Sequence, residues 1–141
     1  MDPLLHLITA CAALVLLTFI VGARMLYVRV TEMRANRIHP QSIALSVQRS
    51  KNLEDSRATD NYSNLFELPV LLYALCATAI GVGHTPTWLV FGVWAFVASR
   101  VIHTAIQCTY NKVMHRFQIF LAGFVLILAM WMAYPISLLL G

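Results

Sequence analysis

The stretch Trp88-Leu-Val-Phe-Gly-Val-Trp-Ala-Phe-Val-Ala-Ser-Arg100-Val-Ile-His103-Thr-Ala-Ile-Gln107-Cys108 decides how this chain is read. It carries a single formal charge and has the length of about 20 residues that crosses roughly 30 Å of hydrocarbon as a helix. A charge at that depth costs a few kcal/mol even on insertion scales, so Arg100 is expected to face a bundle interior or a wet cavity. Three more apolar stretches lie around it: Leu4 to Ala23, Leu65 to Val82 and Phe117 to Leu140. The second contains its own oddity, the carboxylate of Glu67. Two intramembrane charges of opposite sign on different segments suggest a polar site between helices.

Composition agrees. The 141 residues are 60% hydrophobic and 11% charged, against about 25% charged in soluble domains. Lipid-exposed backbone must satisfy its own hydrogen bonds, so the spans are helices. The ten-residue alternation of a membrane barrel is absent. The expectation is an all-α, integral membrane four-helix bundle in one domain, 1–141, with spans at about 4–30, 62–82, 87–108 and 117–140. The first span is read as retained: Asp2 and His6 stand where a cleaved leader has basic residues, and its apolar run is too long.

All ten Lys and Arg fall in, or nearest to, the first and third loops. The positive-inside rule then puts both loops in the cytoplasm and both termini on the opposite side. Topology accounts for the basic excess, with contact to anionic lipid as an addition and no nucleic-acid partner required. The three cysteines, Cys11, Cys76 and Cys108, lie on three spans with no paired spacing for zinc or a redox dithiol, and read as packing residues.

The first helix is expected to continue past the membrane surface until His39-Pro40 ends it. A polar loop follows, with a short surface helix carrying Ile43, Ala44 and Val47. Gly83-His84-Thr85-Pro86 is a tight turn that makes the second and third spans antiparallel. Thr109 to Arg116 is another short connection.

At about 100° per residue, Arg57, Asp60, Asn64 and Glu67 share one face at the start of the second span. Arg100, His103, Gln107 and Tyr110 share one face of the third, with Asn111 beside them. Both faces lie toward the basic end, where Glu67 and Arg100 are expected to meet. A lone buried pair would simply fix helix register. The greater number of polar groups, under a rim of Arg57, Lys112 and Arg116, points instead to a pocket for an anionic or zwitterionic ligand. No metal motif, phosphate-binding glycine loop or nucleophile elbow is present, and His39, His84 and His115 read as solvated loop residues. Without a metal, clustered arginines can hold a bound thiol as its reactive thiolate.

The run Arg57-Ala-Thr-Asp60-Asn61-Tyr-Ser-Asn64-Leu-Phe-Glu67-Leu-Pro69 is similar to the arginine-rich approach to Asn-x-x-Glu of the MAPEG family, the membrane-associated proteins of eicosanoid and glutathione metabolism. Arg100-Val-Ile-His103-Thr104 resembles the Arg-x-x-His-Thr of its glutathione transferase and prostaglandin E synthase branch, and Arg116 follows Arg100 at that branch's spacing. The resemblance implies a homotrimer with glutathione between subunits near the cytoplasmic face. It implies transferase or peroxidase activity on hydrophobic small-molecule electrophiles or lipid hydroperoxides entering from the lipid bilayer. It implies Arg57, Asn64, Glu67, Arg100, His103 and Gln107 in or around the glutathione site, Arg116 as thiolate stabiliser and Tyr110 as a second donor. Two positions depart from the family pattern: Asp60 replaces an arginine and Gln107 a tyrosine, each removing an expected glutathione contact. The alternative is a non-catalytic membrane relative that binds a lipid or other anion, or modulates a partner. A transporter is disfavoured because the polar groups occupy one half of the bilayer only.

Overall fold

The computed structural model describes residues 2–43 and 57–140. The expected positions Ala44 and Val47 of a surface helix lie outside them. Four helical segments are long and apolar enough to cross a membrane. They form the integral membrane four-helix bundle expected from the sequence.

Helix α1 (Pro3–Ala35) begins where the Asp2 side chain accepts a hydrogen bond from the Leu4 amide at 3.0 Å, with proline in the first turn. Such a cap satisfies one orphan N–H, and proline there sacrifices none that the helix would use. Its 33 residues span about 50 Å, well beyond the hydrocarbon. The helix stops before His39-Pro40, correcting the expected end. Arg37 turns left-handed (φ 53°), so the Ile38 amide bonds back to the Met33 carbonyl at 2.9 Å and closes the last turn. Pro40 then opens a short 3-10 turn, Pro40–Ile43.

The second span is broken. Helix α2 (Arg57–Asn64) and helix α3 (Leu68–Val82) meet at a turn through Leu65, Phe66 and Glu67. Pro69 is the cause: it has no N–H for the Leu65 carbonyl, and its ring crowds that carbonyl. The amides of Phe66 and Glu67 instead reach the carbonyls three residues back, of Ser63 and Asn64. The single helical wheel through Arg57 and Glu67 therefore does not hold, and Glu67 sits at the break.

Helix α4 (Thr87–Cys108) follows a turn closed by Gly83, whose φ of 75° suits glycine and lets the His84 amide reach the Ala79 carbonyl at 3.2 Å. His84 is held in place: its carbonyl accepts from the Tyr134 hydroxyl at 3.0 Å, and its Nε2 lies 3.4 Å from Ser137 Oγ. Helix α5 (Val113–Leu140) supplies both partners. The third connection turns on left-handed Asn111 (φ 46°), a residue type that tolerates that region.

Each helix buries one stripe at three- and four-residue spacing: Leu7, Ala10 and Leu14 on α1; Leu68, Leu72, Leu75 and Ala79 on α3; Leu89, Val93 and Phe96 on α4; Ile127, Met130 and Tyr134 on α5. The outer faces are equally apolar. Phe19 is 74% and Phe91 73% exposed, an arrangement that suits acyl chains and not water. In lipid, close packing and interhelical hydrogen bonds hold helices together, so small residues matter where backbones approach. Gly22 lies under the Tyr62 ring, Gly92 under Met130 and Gly123 under the Arg100 guanidinium.

Candidate functional site

The basic end of the bundle is where polar side chains gather, and the end of α4 organises them. The last carbonyls of a helix lack intrahelical donors and carry partial negative charge. Arg24 Nη2 donates to the Cys108 carbonyl at 2.8 Å, and Arg57 Nη1 to the Thr109 carbonyl at 3.2 Å. Arginines of α1 and α2 thus cap α4. Arg57, expected at a ligand, is a capping residue in this arrangement.

Beneath the cap, α2 and α4 are joined by amides. Asn61 is fully buried; its Nδ2 donates to Cys108 Sγ at 3.5 Å and its Oδ1 accepts from Thr104 Oγ1 at 3.4 Å. Asn64 Nδ2 donates to Gln107 Oε1 at 3.2 Å. Gln107 is also fully buried, and its Nε2 finds no partner among the described residues. Leaving such a donor unsatisfied costs about 1–3 kcal/mol.

On the far side of Asn64 opens a groove of about 260 Å³, lined by Asn64, Glu67, His103 and Arg116 with Val113, Phe117 and Phe120. Four of the residues expected at the site therefore share one wall-to-wall space, contributed by α2, the break after it, α4 and α5. Arg116 Nη1 donates to Asn111 Oδ1 at 3.1 Å, so the left-handed residue of the third loop also orients the groove's cation. His103 is buried, with its ring 6.3 Å from that of Phe120.

Arg100 is placed otherwise. It is 1% exposed, and its guanidinium carbon lies 5.2 Å from the Phe96 ring and 5.7 Å from that of Phe120. Its Nη2 donates to the Ile119 carbonyl at 3.2 Å, and Nε to Ser99 Oγ at 3.4 Å. A Cβ on Gly123 would overlap that guanidinium. The cation thus points into the α4–α5 seam, where Phe120 has one contact with Arg100 and another with the groove. Glu67 is exposed, and its carboxylate has no hydrogen bond or ion pair among the described residues. The expected Glu67–Arg100 meeting is corrected: the proline break turns Glu67 to the groove, while Gly123 opens room for Arg100 in the α4–α5 seam behind Phe120.

Tyr110 lies past the end of α4, 56% exposed, with its hydroxyl 3.3 Å from His115 Nδ1. It does not line the groove. Sequence reasoning passed over Asn61, Phe117 and Phe120, and set Asn111 beside the polar face of α4 without giving it a role. An amide three residues before Asn64 was a readable signal for Asn61, and Asn in a short interhelical loop was one for Asn111. The phenylalanines are indistinguishable in sequence from lipid-facing ones. Among the described residues no group of three His, Cys, Asp or Glu side chains could hold a metal ion.

A family model described as the MAPEG family matches residues 7–134, most of the chain. No curated protein and no solved structure matches it.

Proposed function

We propose, for a chain that belongs to the MAPEG family, that the groove binds glutathione for transfer to hydrophobic electrophiles or for reduction of lipid hydroperoxides arriving through the bilayer. The observation that carries this reading is the convergence of Asn64, Glu67, His103 and Arg116 on one groove beside Phe117 and Phe120. The donor set fits the molecule: a fixed guanidinium for a thiolate or carboxylate, and a carboxylate for an ammonium. Bound glutathione supplies the nucleophilic sulfur. Arg116, steadied by Asn111, holds negative charge at that sulfur and so favours the thiolate. Glu67 and Asn64 orient the polar body, while Phe117 and Phe120 exclude water from the reacting end. The working unit is a homotrimer with its basic loops in the cytoplasm.

The test is stopped-flow ultraviolet absorbance of the detergent-purified protein on mixing with glutathione. A thiolate band forms with the native chain and is lost in Arg116→Ala, with helix content and subunit assembly unchanged. A native protein that generates no thiolate overturns the reading.

Two observations favour a second reading, a non-catalytic relative that binds a lipid headgroup or other anion. Arg57 is tied to the Thr109 carbonyl and Gln107 is sealed behind Asn64, which takes two polar contacts away from glutathione. Stabilisation by anionic phospholipid without any by glutathione would select it.

A further inference from the structure

The basic end of α1 carries two guanidinium groups that no helix uses. Arg24 and Arg57 cap α4, but α1 closes itself: the amides of Asn36, Arg37 and Ile38 bond the carbonyls of Glu32, Arg34 and Met33. The left-handed backbone of Arg37 makes that closure possible, so neither Arg34 nor Arg37 is consumed as a cap. Both are exposed, and neither side chain has a hydrogen bond or ion pair among the described residues.

Arg34, Arg37 and His39 line one cleft of about 470 Å³, together with apolar Val30, Met33 and Ile38. Among the described residues no carboxylate lines it. The Gln41 amide donates to His39 Nδ1 at 3.3 Å, which puts the proton of the neutral ring on Nε2 as a third kind of donor. Two guanidinium forks and an imidazole N–H select an oxyanion of more than one charge, and phosphate matches the fork. The volume falls within the ~300–1,000 Å³ of small-molecule sites, more than a bare phosphate fills. Val30, Met33 and Ile38 offer apolar surface to a carbon body attached to it.

Height narrows the choice of phosphate. From Ala23, where the first apolar run ends, α1 rises about 16 Å to Arg34, and about 15 Å at the ~20° tilt common in membrane helices. The headgroup layer adds only about 5–8 Å on each side of the hydrocarbon. The phosphodiester of an ordinary phospholipid therefore lies below the cleft, whereas a phosphate monoester reaches it from solution or from the outer edge of a large headgroup.

We propose that this cleft binds a phosphate monoester, carried on a headgroup such as a phosphorylated inositol or free in solution. The site shares no residue with the groove at Arg116, and its occupation does not depend on glutathione binding.

The experiment places the full chain in phosphatidylcholine nanodiscs. Native mass spectrometry counts retained lipid when the discs also hold phosphatidylinositol bisphosphate or, at equal charge, phosphatidylserine. Calorimetry with soluble inositol trisphosphate reads the free source. Retention of the bisphosphate lipid above phosphatidylserine supports the site with a lipid ligand, and binding of the trisphosphate supports it with a soluble one. Arg34→Gln combined with Arg37→Asn, which keeps a residue that tolerates the left-handed backbone, should weaken either interaction about tenfold or more with helix content unchanged. Equal retention of phosphatidylserine, binding of neither probe, or undiminished binding in the double variant overturns the proposal. Binding that is lost in Arg116→Ala instead belongs to the other groove and overturns it as well.

Discussion

Replacing Glu67 by Gln and Arg100 by Met, singly and together, measures whether the two intramembrane charges are energetically linked. Arg100 makes two charge-assisted hydrogen bonds, to the Ile119 carbonyl and to Ser99 Oγ, and lies over two phenyl rings. Each hydrogen bond contributes about 1.5–3 kcal/mol and each ring about 0.5–2 kcal/mol. Against them stands the desolvation of a buried cation, several kcal/mol after relaxation. These terms oppose one another, so the single Arg100→Met change is a poor guide and the coupling is the informative quantity. With no contact between the two side chains, Glu67→Gln and Arg100→Met should add to within about 0.5 kcal/mol. The cycle pairing Arg100→Met with Phe120→Leu should instead show coupling of about 0.5–2 kcal/mol. Reversible unfolding in mixed detergent–SDS micelles, followed by circular dichroism, supplies the free energies. A Glu67–Arg100 coupling near the ~3–5 kcal/mol of a broken buried pair would refute this placement of both residues.

Two further outcomes follow from close packing and from the third loop. Gly123→Leu forces the Arg100 guanidinium out of its seam and should destabilise by about 1–3 kcal/mol in the same assay, whereas Gly81→Leu, with open space around it, should cost far less. Asn111→Gly keeps the left-handed backbone but deletes the oxygen that holds Arg116. Thermal stability should change little while the glutathione concentration needed for half-maximal thiolate signal rises, and an unchanged midpoint would separate Asn111 from the groove.

The fold was legible because lipid imposes so simple a pattern. Four runs of the right length and a tight Gly83–Pro86 turn leave little freedom in topology. Arg100 and His103 announced an inward face of α4, and both are buried. What was not legible depended on local backbone breaks. Pro69 is visible in the sequence, but the direction in which its break sends Glu67 depends on the packing of α2 against α4. Likewise, nothing in the sequence says that Arg57 caps α4, because many nearby carbonyls compete for its guanidinium.

The central claim, that Arg116, His103, Glu67 and Asn64 form a glutathione site, is tested most directly by the unfolding temperature of the purified protein across a glutathione titration. A ligand of the folded state stabilises by mass action, about 2.7 kcal/mol at a hundred times its Kd. The unfolding temperature should rise and saturate with glutathione, an effect lost in Arg116→Ala and weakened in Glu67→Gln. A transition that stays fixed up to millimolar glutathione would contradict it.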